Sequence, residues 1–222
     1  MTFTRELIEK NLSVWQQCLD SPFLQQLGTG TLDEACFKGY IVDDSLYLRE
    51  YAKVFAWGMT KAEDLEAIRT YYSLLSFVNE GEGATRLIYL KRYGLDDASI
   101  QHLPQRPENL AYTDCMVKAA RDGQGAPECM MACLPCMVSY QWIFQRLEQY
   151  PNVRQTPFWP LVRDYTSDAY EQACQSWLAY TDRICQDLDA ERKAQCSEIF
   201  RECSLHELHF WEMSLQPRTD LP

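Results

Sequence analysis

A chain of 222 residues with 46% hydrophobic content can bury a sizeable core, which excludes a disordered tail protein. Its 21 basic against 32 acidic residues leave a net charge of −11, a field that repels phosphate backbones and anionic lipid heads, so neither nucleic acid nor a membrane surface is an expected partner. Met1 to Trp15 carries Glu6 and Glu9 without the basic head or small-residue cleavage site of an export signal, so a cytoplasmic location is expected and the ten cysteines read as reduced thiols rather than a disulfide framework.

In chain order, apolar residues recur at helical spacing and predict helices near Arg5 to Leu19, Leu32 to Met59, Ala62 to Tyr93, Glu108 to Arg121, Pro127 to Tyr150, Ser167 to Leu188 and Ala190 to Leu215, with a short turn near Phe158 to Asp164. Two prolines in each of Gln101 to Pro107 and Pro151 to Pro157 mark those segments as loops. Six of the nine glycines sit in the pairs Gly28/Gly30, Gly81/Gly83 and Gly123/Gly125, leaving long stretches free of breakers. No strand-like run and no domain linker is visible, so the expectation is one all-α multi-helical domain over residues 1–222. Cys129 to Gln145, the longest uncharged stretch at 17 residues, is shorter than the roughly 20 that span a bilayer and reads as a buried core helix.

Two carboxylates fall where apolar residues belong. On the second long helix, with Phe37 set to zero and about 100° per residue, Tyr40, Ile41, Tyr47, Leu48, Tyr51 and Phe55 share one arc, and Asp44 lies inside it. Asp43 falls outside the arc, toward solvent, where its replacement should be close to neutral. On the last helix Glu207 lies between one group of Ile199, Cys203, Phe210 and Met213 and another of Phe200 and Trp211. An ionised carboxylate among apolar side chains is unfavourable by several kcal/mol unless paired, hydrogen-bonded or neutralised. Either tyrosine hydroxyls satisfy these groups in the core, or they mark a pocket inside the bundle.

The run Cys129-Met-Met-Ala-Cys133-Leu-Pro-Cys136 invites several readings. An iron–sulfur loop or a Cys133/Cys136 redox pair needs strands and a loop context that the continuous helical pattern lacks. Zinc needs a fourth ligand; the histidines are His102, His206 and His209, and His206-Glu207-Leu208-His209 falls one residue short of the H-E-x-x-H spacing, so no metal site is expected. Buried inert cysteines are one remaining reading. The other is a nucleophile at Cys136, where Pro135 removes a backbone donor and Tyr140 lies one turn on.

Five segments together give a closer match: Pro22-Phe23; the Gly30-Thr-Leu turn; Phe37-x-x-Tyr40-x-x-x-Asp44-x-x-Tyr47-Leu48; Leu134-Pro-Cys136-x-x-x-Tyr140; and Phe200-x-x-x-x-x-x-Glu207-x-x-Phe210-Trp211. In residue type, order and spacing the chain resembles the thiaminase II (TenA) family nearly end to end. The resemblance implies a heme-oxygenase-like helical fold, a homotetramer, and salvage of the thiamin pyrimidine by hydrolysis of 4-amino-5-aminomethyl-2-methylpyrimidine, with thiamin a poorer substrate and no metal or organic cofactor. By matching position it implies Cys136 as nucleophile, Glu207 as acid/base carboxylate and Asp44 as the group that binds and polarises the aminopyrimidine, with Tyr47, Tyr112, Tyr140 and Tyr165 lining the pocket. Asp43 stands where the family commonly has Gln, Leu46 at a frequent aromatic position and Phe144 where Gly often follows the tyrosine. The alternatives are a non-catalytic pyrimidine-binding or regulatory protein on the same fold, and a cofactor-using oxidase, which would need ligands the three histidines do not provide.

Overall fold

The computed structural model describes residues 1–77 and 83–221 and contains no strand among them. The chain runs through α1 (Phe3–Leu19), α2 (Pro22–Thr29), α3 (Glu34–Thr60), α4 (Leu65–Phe77), α5 (Gly83–Arg92), α6 (Asp97–Ile100), α7 (Pro107–Asp122), α8 (Ala126–Leu147), a 3-10 turn at Val153–Gln155, α9 (Trp159–Tyr165), α10 (Asp168–Ile184) and α11 (Ala190–Ser214). Side-chain caps start several of these helices: Thr2, Asp33, Ser167 and Asp189 each accept from a backbone N–H of the first turn.

The all-α expectation holds, with four differences. The segment Ala62 to Tyr93, read as one helix, contains α4 and α5, and residues 78–82 between them lie outside the described residues. α2 and α6 were not expected. α2 has its own punctuation, Pro22 in its first turn and Gly30 at its C-cap with φ 76°, a left-handed conformation that favours glycine. Finally, the turn expected near Phe158 is a seven-residue helix.

Four long helices build the centre. α8 and α11 run side by side in the same direction: Glu128 and Arg192 pair near their N-terminal ends, while Phe144 and Trp211 meet near their C-terminal ends, centroids 6.3 Å apart. α3 and α7 form a second parallel pair, with Asn109 Nδ2 donating to the carbonyl of Asp43 at one end and Lys61 Nζ donating to the carbonyl of Arg121 at the other. The Lys61 ammonium thereby satisfies carbonyls at the C-terminus of α7 and complements its dipole. Tyr51 of α3 donates to the carbonyl of Cys133 on α8, which locks the two pairs together. α8 stays helical across Pro135, so the missing proline donor is absorbed within the helix.

α1 covers α11 through Trp15 on Phe200, α10 covers α8 through Tyr170 donating to the carbonyl of Met137, and α4 covers α3. The last contact is close: a Cβ built on Gly58 would lie 2.3 Å from the Tyr71 ring. Among the described residues no helix is long and apolar enough to cross a membrane.

Candidate active site

The candidate site residues come from α3, α7, α8, α9 and α11, and their side chains lie against one another inside the bundle. Glu207 of α11 is 1% exposed. Tyr112 of α7 donates its hydroxyl to Glu207 Oε1 at 2.6 Å, and the Cys136 thiol of α8 shares a side-chain hydrogen bond with the same carboxyl. Burial pushes Glu207 up to about 7 even though both hydrogen bonds, and His206 nearby, favour its ionised form, while the Asp44 charge pushes the same way as burial. A carboxyl at that value is populated in both protonation states at neutral pH, as an acid/base group needs.

Asp44 keeps some accessible surface while protein atoms surround it, as a group facing an internal space does. Burial raises it to about 7; Arg86 of α5 opposes that rise and the neighbouring Asp43 adds to it. Arg86 itself is anchored by Nη1 to Ser45 Oγ at 2.8 Å and to Asp97 at 3.0 Å. The sequence pattern did not single out Arg86, because it lies on a helix of its own and faces Asp44 only in the folded chain.

Aromatic rings wall the site. Tyr47 packs on Tyr112 with centroids 5.1 Å apart and donates to Met116 Sδ, while Tyr140 contacts Tyr165 at 4.9 Å and Trp211 at 5.0 Å. Burial holds the hydroxyls of Tyr47, Tyr112 and Tyr140 well above the usual phenol range, so they remain neutral donors. Phe144 lies 4.7 Å from Tyr165 and fills space at this end. The buried indole N–H of Trp211 has no partner among the described residues. Among the described residues Cys136, 7% exposed, is the cysteine hydrogen-bonded to Glu207; Cys133 and Cys129, one and two turns away on α8, are buried.

Asp43 corrects the sequence reading. It points off the apolar arc as expected, but that side is not solvent: the start of α7 and the C-terminal tail cover it, leaving Asp43 0% exposed. Arg106 pairs with one carboxylate oxygen and Arg218 with the other at 2.7 Å. Arg218 continues to Asp220 and to the carbonyl of Pro104, while Arg106 reaches the carbonyls of Met213 and Gln216. The two neighbouring aspartates therefore differ in partner: two arginines clasp fully buried Asp43 to the tail, whereas Asp44 keeps some accessible surface and feels Arg86 alone among the arginines.

A helical bundle that encloses a hydrogen-bonded Cys–Glu–Tyr cluster, with a second carboxyl near neutrality, defines a class of buried small-molecule site. The chain belongs to the TENA/THI-4/PQQC family, whose model matches residues 9–217. It is 30% identical over 219 residues to an aminopyrimidine aminohydrolase of Halalkalibacterium halodurans, covering 98% of this chain and 97% of the relative. It is 31% identical over 218 residues to another of that name from Helicobacter pylori, covering 97% and 100%. Among solved structures, a TenA homologue from P. horikoshii OT3 superposes with a TM-score of 0.86 at 25% identity, over 97% of this chain and 99% of that one.

Proposed function

We propose that the chain is an aminopyrimidine aminohydrolase that converts 4-amino-5-aminomethyl-2-methylpyrimidine and water to the 5-hydroxymethyl pyrimidine and ammonia in thiamin salvage, with thiamin a weaker substrate. The observation that carries this reading is the hydrogen-bonded set Cys136, Glu207 and Tyr112, brought from three helices to one buried point. Glu207 takes the Cys136 proton, and the thiolate adds to an electron-poor ring carbon of the pyrimidine. Asp44 binds the amidine-like edge and favours that addition. Glu207 returns the proton to the departing amine, which leaves as ammonia; it then takes a proton from the water that adds at the methylene carbon, and the thiolate is expelled. Tyr112 holds Glu207 in place, and Tyr47, Tyr140 and Tyr165 flank the planar substrate.

An ammonia-release assay on the aminopyrimidine, with thiamin in parallel, tests this. Cys136→Ser should abolish turnover, whereas Cys133→Ser and Cys129→Ser should leave it largely intact. Equal losses in all three, or no ammonia from the native chain, would overturn the assignment. The enzyme works in the cytoplasm as a homotetramer in this reading. Leu65, Ile68 and Tyr72 lie exposed on one side of α4, with Ile88 exposed on α5, and offer apolar surface for a second copy. Light scattering should give four times 25.9 kDa.

A further inference from the structure

A second cysteine cluster lies outside the chemistry above. Cys115 of α7 is the one cysteine of the ten that is not buried. It lines an open groove of about 640 Å³ between α7 and α11, together with Asp114, Lys118, Asp122, Glu202 and His206. Its sulfur faces the thiol of Cys203, fully buried on α11, and the imidazole of His206, with Glu202 Oε2 3.9 Å away. Hydrogen bonds from Cys203 and then from His206 hold the Cys115 thiol well below the ordinary range, while Cys203, hydrogen-bonded to it and buried, is pushed up. The cluster thus pairs an accessible thiolate with a protonated thiol behind it, the arrangement of an attacking and a resolving cysteine. His206 contributes a buried Nδ1 without a partner among the described residues.

We propose that Cys115 is a second reactive thiol, separate from Cys136, that exchanges with small cationic disulfides entering this groove and passes the exchange to Cys203, closing a disulfide between α7 and α11. In the first step the Cys115 thiolate attacks one sulfur of R–S–S–R, forms Cys115–S–S–R and releases RS⁻. Cys203 then gives its proton to the imidazole of His206 beside it, attacks the Cys115 sulfur and expels the second RS⁻. The two protein sulfurs are oxidised and R–S–S–R is reduced to two RSH, which take one proton from Cys203 by way of His206 and one from solvent, where Cys115 left its own on ionising. The carboxylates of Asp114, Asp122 and Glu202 outnumber Lys118 along the groove, which selects cationic over anionic disulfides. The bond would fall one turn from Tyr112 on one helix and one turn from Glu207 on the other, so exchange at the groove reaches the buried hydrogen bond between them.

The test reads mass, not turnover, and stands whether or not the proposed hydrolysis does. The native full-length chain is treated with cystamine at neutral pH, digested without reduction and mapped. The expected product is a peptide pair joined through Cys115 and Cys203. Cys203→Ser, or Cys203→Ala should the serine variant fold poorly, should stop at one cysteamine on Cys115. Cys115→Ser should slow modification of the native chain at least tenfold. Oxidised glutathione, which is anionic, should react several-fold more slowly than cystamine at low ionic strength, with the gap narrowing in salt. Label spread over Cys136 and the other cysteines, an unmodified Cys115, or equal rates for the two disulfides would overturn the proposal.

Discussion

Removing the Asp43 carboxylate should destabilise the fold far more than its place on the outer side of α3 suggests. Asp43 is 0% and the Arg218 side chain 1% exposed, so truncation to alanine leaves a guanidinium in a site from which water is excluded. Breaking a buried pair by removing one partner costs about 3–5 kcal/mol. The lower end applies here, because Arg218 keeps Asp220 and the carbonyl of Pro104, and Arg106 keeps the carbonyls of Met213 and Gln216. The expected loss is therefore about 3 kcal/mol, a fall in Tm of roughly 6–12 °C for a chain of this length. Denaturant and thermal melts of Asp43→Ala, Arg218→Met and the double variant provide the measurement. The double variant should lose less than the sum of the singles, since it removes both buried charges of one pair. A loss of only about 0–1 kcal/mol for Asp43→Ala, the range of exposed pairs, would refute the clasp.

Two further perturbations separate chemistry from packing. Glu207→Gln keeps the volume and a partner for Tyr112 but carries no titratable proton, so turnover should fall about 10²- to 10⁴-fold while the fold persists. Because burial raises Glu207 in the folded state, that state binds the proton more tightly than the unfolded chain does, and the native protein loses stability as pH climbs from about 4.5 to about 7. The glutamine variant should therefore match the native protein near pH 4.5 and exceed it by up to about 3 kcal/mol near pH 8; parallel melting curves at all pH values would contradict the assignment. Gly58→Ala sets helix propensity, a gain of about 1 kcal/mol, against overlap of the new methyl with the Tyr71 ring 2.3 Å away. Tyr71 is fully buried and its hydroxyl donates to the carbonyl of Ala126, so the ring cannot swing clear. Overpacking of this kind costs about 1–3 kcal/mol, and melts should show net destabilisation; a more stable variant would show that α4 yields.

The sequence carried the inward carboxylates and lost their surroundings, for a definable reason. Asp44 and Glu207 were legible because each interrupts an arc of large apolar residues on its own helix, a pattern contained within a few turns. Asp43 was misread because its arginines lie 63 and 175 residues away, and a helical wheel scores any position off the apolar arc as solvent. Arg86 escaped for the same reason. α2 was missed although Pro22 and Gly30 bracket it, because eight residues give too few turns for periodicity to stand out. The order of the long helices, by contrast, followed from apolar spacing alone.

The four inward or paired carboxylates of the central helices divide by partner, and the division separates structure from chemistry. Asp43 and Glu128 face arginines: Arg106 and Arg218 hold the one, and Arg192 grips the other through Nε–Oε1 at 2.8 Å and Nη2–Oε2 at 3.0 Å. Glu128 also accepts the N–H of Gly125 at the start of α8, and despite its burial these contacts hold it below the usual carboxylate range. Burial raises the Asp43 carboxyl while Arg106 and Arg218 pull it down; neither Asp43 nor Glu128 can give up its position without stranding a cation, and so the two tie α3, α7, α8 and α11 to one another. Asp44 and Glu207 have no arginine at hydrogen-bond distance among the described residues; tyrosine and cysteine surround Glu207, Arg86 acts on Asp44 only through space, and both rise to about 7. A rise of that size is a stability penalty at neutral pH. The arginine-clasped pair is what allows the bundle to hold the other two carboxyls poised between protonation states at the point where Cys136 and Tyr112 meet.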